Sequence, residues 1–172
     1  MRSDLKILIL AGGRSERMAA DKALVEVHGR SMLDHALHLA SEYGPAETII
    51  LGRPEHPLGI KDKEPFPGPA RAISAYLQTI VQKCHILVLP VDMPLLRKTH
   101  TDALLNCPTG AYFEDQYLPF AAAVEPGLEF TGARMKELLS DLRINEIAVP
   151  EGWRAHLTNV NTPSTLKALN AI

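Results

Sequence analysis

Little in the sequence ties it to disulfide staples, membranes or polyanions. Only two cysteines occur in 172 residues, Cys84 and Cys107. They form neither a CxxC pair nor a disulfide framework, so both are expected to stay reduced, as in a cytosol. Aromatic residues are scarce, with four Tyr, four Phe and one Trp, which argues against a base-stacking platform for nucleic acid. The formal charge is −2, from 18 Lys and Arg against 20 Asp and Glu, and that excludes a strongly basic nucleic-acid binder. The longest apolar runs, Ile7–Ala11 and Ile86–Val91, are strand-length and far below the roughly 20 residues of a membrane span. Glycines and charges arriving by Gly12 do not fit a secretory leader. Two phosphate motifs are missing as well: no GxxxxGK[ST] and no GxGxxG occurs. Together these absences predict a cytoplasmic protein with neither nucleic acid nor membrane as partner.

What is present predicts a single α/β domain over residues 1–172. The run Leu5–Leu10 is apolar almost throughout, as in a parallel strand buried on both faces. Ser31, with Asp34 three residues on, marks a helix start, and Leu33, Ala36, Leu37 and Ala40 share one helical face. Gly44-Pro45 ends that helix, and Thr48–Leu51 is the next buried strand. Residues 52–69 predict a long loop with a short strand near Gly59-Ile60, and loops of that length are often functional. A second helix opens at Gly68-Pro69 and carries Ile73, Tyr76, Leu77, Ile80 and Val81 on one face. A third buried strand covers His85–Val91, and a helix follows from Lys98 to Asn106. Two strands (Ala111–Phe113 and Pro119–Val124), a helix marked by Met135, Leu138, Leu139 and Leu142, and a strand over Glu146–Val149 come next. Thr162 caps a last helix with Pro163 in its first turn. Strands alternating with helices indicate a mostly parallel central sheet.

Ligands of such sheets bind beyond the C-terminal strand ends. Two ends stand out. The first runs Leu10-Ala11-Gly12-Gly13-Arg14-Ser15-Glu16-Arg17-Met18, followed by Asp21-Lys22. Paired glycines let backbone N–H groups approach a phosphate, and Arg14, Arg17 and Lys22 add three cations within nine positions. The second, Leu89-Pro90-Val91-Asp92-Met93-Pro94, presents a carboxylate suited to Mg²⁺, which takes one or two carboxylates plus substrate phosphates. A helix N-cap is the alternative role for Asp92. His35 and His38 lie three apart without a third ligand in view. Trp153 is expected to pack at the core or rim, Glu114-Asp115 to form a turn, and Arg71 to face either solvent or an anionic ligand.

The first motif resembles that of nucleotidyltransferases that use nucleoside triphosphates, in particular the molybdenum cofactor guanylyltransferase family. Phe66-Pro67-Gly68-Pro69, Leu89-Pro90-Val91-Asp92-Met93-Pro94 and Asn159-Val160-Asn161-Thr162-Pro163 match the same family in order, across almost the whole chain. The resemblance implies a Rossmann-like three-layer α/β/α fold, like that of the nucleotide-diphospho-sugar transferases. It implies transfer of GMP from GTP to molybdopterin, with Mg²⁺ as cofactor and carriers or recipients of the molybdenum cofactor as partners. By the same resemblance Leu10, Ala11 and Gly12 would hold base and ribose, and Gly13 with Arg14 would wrap the triphosphate. Lys22 and Arg17 would act on phosphate, Asp62 would contact the nucleotide, Asp92 would bind GTP and metal, and Asn161 would lie near the metal or the acceptor phosphate. Ala19 stands where the family usually has Gly, Ala70-Arg71-Ala72 replaces Leu-Ala-Gly, and Arg53 follows the second strand where many members carry Asn. A cytidylyltransferase, an enzyme for another phosphorylated acceptor and a non-catalytic nucleotide binder remain the alternatives.

Overall fold

A computed structural model describes residues 4–12, 21–61 and 68–170. Its centre is a seven-stranded sheet with the spatial order β5-β4-β1-β6-β8-β7-β9. The strands are β1 (Leu5–Leu10), β4 (Glu47–Leu51), β5 (Gly59–Ile60), β6 (Cys84–Pro90), β7 (Gly110–Phe113), β8 (Phe120–Val124) and β9 (Asn145–Ile147). A two-stranded ribbon, β2 (Glu26–Val27) with β3 (Arg30–Ser31), stands apart. Strands β5, β4, β1 and β6 pair in parallel, and β8 runs antiparallel to both β6 and β7. Strand β9 is parallel to β7, so β8 alone opposes the rest of this sheet.

Strand alternation divides the core into two faces. Ile7, Ile9, Leu87 and Leu89 pack with helices α1 (Met32–Ser41) and α3 (Lys98–Leu105) on one face. Leu8, Ile86 and Val88 pack with α2 (Pro69–Leu77) and α4 (Met135–Asp141) on the other. This is the expected three-layer α/β/α arrangement. A last helix, α5 (Pro163–Asn170), adds Leu169 to the first face. Local signals explain the element starts. Ser31 Oγ accepts from the Asp34 N–H at 3.0 Å and donates to its carboxylate at 2.7 Å. Thr162 Oγ1 accepts from the Thr165 N–H at 3.2 Å and so caps α5.

Two expectations need correction, and the alternative role of Asp92 falls away. Helix α2 ends at Leu77, and although Ile80 is buried, Val81 is 83% exposed. The turn after Leu77 rotates Val81 off the helical face. The strand expected over Glu146–Val149 covers Asn145–Ile147, because the Val149 N–H turns to the Glu114 side chain at 3.3 Å. Asp92 does not cap α3. That helix begins after Arg97, whose N–H donates to His100 Nδ1 at 2.9 Å.

Candidate active site

Register places three strand ends side by side. Leu10 of β1 lies opposite Leu51 of β4 on one flank and Pro90 of β6 on the other. Pairing continues one step further, with Ala11 N–H donating to Leu51 O at 3.2 Å and Val91 N–H to Leu10 O at 3.3 Å. Ala11-Gly12, Gly52-Arg53 and Val91-Asp92 therefore emerge together on one edge, as an open parallel sheet requires of its ligand site.

Asp92 is half-buried there. Its carbonyl accepts from the Val160 N–H at 2.7 Å, which holds the C-terminal segment against the end of β6. Lys22 opens a short 3₁₀ turn (Lys22–Leu24) capped by Asp21, whose Oδ1 accepts from the Ala23 N–H at 3.2 Å. The Lys22 ammonium donates to Asp92 Oδ2 at 2.9 Å and also to Asn161 Oδ1. Residues 22, 92 and 161, far apart in sequence, thus converge on one point. Leu10, Ala11 and Gly12 lie on the same edge. Gly13, Arg14, Arg17 and Asp62 fall outside the described residues.

One residue of this edge, Arg53, entered the sequence analysis only as a departure from the family pattern and not as a site candidate. Gly52, at φ +83°, turns the chain so that Arg53 points back across β1. Arg53 Nε donates to Ala11 O at 3.3 Å, Nη1 to Glu55 at 3.3 Å, and Nη2 to Asp21 Oδ1. Burial opposes its charge, but the bonds it donates to the Asp21 and Glu55 carboxylates, and their negative charges, outweigh that and raise its pKa. The available signal was positional: residue 53 follows a buried parallel strand that neighbours β1.

The other candidates have structural surroundings. His35 Nε2 lies 2.9 Å from Val27 O. Among the described residues no group of three His, Cys, Asp or Glu could hold a metal. Trp153 packs edge-on against His100 and Phe113, at 4.6 and 6.0 Å between ring centroids. Glu114 accepts from Arg154 at 2.9 Å, and Asp115 takes a positive φ of 61° in its turn. Arg71 is exposed on α2. Both cysteines are unpaired, Cys84 buried and Cys107 half-buried. No described helix is long and apolar enough to cross a membrane.

The fold agrees with the comparison to known proteins. Residues 7–143 match the MobA-like NTP transferase domain. The chain belongs to that family. As a MobA-like NTP transferase it is a nucleotidyltransferase, a class that generally uses a divalent metal. The molybdenum cofactor guanylyltransferase of Xanthomonas euvesicatoria is 33% identical to it, over 91% of this chain and 89% of the relative. The molybdopterin-guanine dinucleotide biosynthesis protein A of Archaeoglobus fulgidus shares the fold at a TM-score of 0.66, with 20% identity and 96% and 97% of the two chains covered. A nucleotidyl transferase from Methanothermobacter superposes at a TM-score of 0.74, with 13% identity over 98% and 97%.

Proposed function

We propose that this MobA-like nucleotidyltransferase transfers GMP from GTP to molybdopterin, forming the guanine dinucleotide and releasing pyrophosphate. The observation that carries the reading is the meeting of Lys22, Asp92 and Asn161 at the C-terminal sheet edge, in a chain whose full-length relatives bear that enzyme's name. The acceptor is a phosphate and already an anion, so the site needs no general base. Its oxygen attacks the α-phosphorus, a P–O bond forms, and the bond to the β-phosphate oxygen breaks as pyrophosphate departs with the electron pair. The chain's task is to position the reactants and neutralise charge.

Backbone groups of Leu10, Ala11 and Gly12 face the base and ribose in this reading. Lys22, a compact charge on a flexible stem, exchanges the two side-chain oxygens it now bonds for those of a phosphate. Gly13, Arg14 and Arg17 would serve the triphosphate and Asp62 the nucleotide. The donor set suits Mg²⁺: Asp92 and Asn161 offer hard oxygens, and a site with one carboxylate leaves coordination to be completed by phosphates. Bound there, the ion would supply Lewis-acid neutralisation of phosphate charge.

The test is pyrophosphate release with each of the four nucleoside triphosphates in the presence of molybdopterin. GTP should be used at least tenfold better than CTP, about 1.4 kcal/mol of discrimination, because a site built on one base edge leaves polar groups unpaired with another. Equal or better use of CTP overturns the guanine assignment.

A further inference from the structure

We propose that Arg53 is a positioning residue that locks the end of β1 to the Asp21–Lys22 turn and thereby sets affinity for the nucleotide. The assignment rests on the nucleotide-site reading above. Its evidence is the fork itself. One guanidinium reaches the Ala11 carbonyl, the Asp21 carboxylate and the Glu55 carboxylate, 42, 32 and 2 positions away along the chain. Ala11 belongs to the strand end that faces the base, and Asp21 immediately precedes Lys22 and caps its turn. The bridge fixes these two segments to the end of β4 through a side chain that is just 13% exposed. An exposed ion pair stabilises little. A forked, mostly buried guanidinium adds directional bonds that define where both segments lie. Nε and Nη2 reach the two segments from separate nitrogens held in one rigid plane, a spread that the single nitrogen of lysine does not reproduce.

Glu55 is the most exposed of the three partners, at 64% for its side chain. The assignment therefore stands on the Ala11 and Asp21 bonds. Asp21 also provides a clean probe, because Asn caps a turn as well as Asp. Asp21→Asn keeps the bond from the Ala23 N–H and removes only the charge that Arg53 meets.

The experiment is calorimetric titration of GTP into wild type, Arg53→Ala, Arg53→Lys, Asp21→Asn and the Arg53→Ala/Asp21→Asn double variant, with thermal unfolding of each. Arg53→Ala should weaken GTP binding about tenfold. Arg53→Lys should fall close to it, and Asp21→Asn should lose several-fold. The double variant should lose no more than Arg53→Ala alone, because both substitutions cut one bridge. The KM for the acceptor should stay within twofold. GTP affinity within twofold of wild type in folded Arg53→Ala overturns the assignment. So does loss in Arg53→Ala with wild-type affinity in Asp21→Asn, since Arg53 would then touch the nucleotide itself. A wild type that binds no GTP overturns the guanine-nucleotide reading on which the assignment rests, a result separable from any effect of the variants.

Discussion

Asp92 carries the sharpest distinction at the scale of single residues. Asn in its place still accepts from Lys22, and α3 begins independently at Arg97 and His100. Asp92→Asn should therefore shift the melting temperature little, because the Asn side chain keeps an oxygen for the Lys22 ammonium. Turnover at limiting Mg²⁺ should fall by about 10²-fold or more, because Asn lacks the negative charge that would hold the ion. Activity within a few-fold of wild type would remove Asp92 from the mechanism. Lys22 and Asp92 stand out in the sequence because each follows a buried strand and its Gly or Pro punctuation, whereas Asn161 was pointed to only by the family resemblance of Asn159-Val160-Asn161-Thr162-Pro163. Arg53 was not legible as a site residue. An arginine after a strand has no motif, and its partners are near it only because β4 lies beside β1 in the sheet order.

Elements were legible where burial is complete. Strands β1, β4 and β6 announce themselves because both faces are covered, so their sequences are apolar without alternation. Short elements were harder. The β2–β3 ribbon has two residues per strand and too little sequence to show a period. Strand β7 shows a constraint that its apolar residues conceal. Gly110 opens it at φ +100°, and a Cβ there would lie 2.1 Å from Ala121 O of the adjoining strand. Both the backbone angle and the missing side chain are required. Gly110→Ala should destabilise by at least about 2 kcal/mol, measured by urea denaturation. A change within about 0.5 kcal/mol would mean that β7 and β8 can separate at little cost.

The protein as a whole has a built-in acid limit, and its packing shows where. His100 is 2% exposed, between Trp153, His156 and the start of α3. Burial, then the neighbouring His156 and Arg97, push its pKa down to about 4. The unfolded chain takes up that proton near 6.5. Between these values the unfolded state binds more protons, so this part of the stability is intact above about pH 6.5 and is lost as pH falls toward 4. Urea midpoints at pH 7 and pH 4.5 should differ more for wild type than for His100→Gln; equal differences would show that other groups set the limit. The Val160–Asp92 hydrogen bond has another consequence, which concerns time. Lys22 and Asn161 are separated by 139 positions, and contacts that close long loops are favoured only after much of the chain is already ordered. If that meeting builds the proposed nucleotide site, competence to bind nucleotide should be among the last properties a refolding chain acquires. After dilution from denaturant, GTP binding should recover no sooner than the fluorescence of Trp153, the single tryptophan. Earlier recovery would mean that the nucleotide is held before the C-terminal segment arrives.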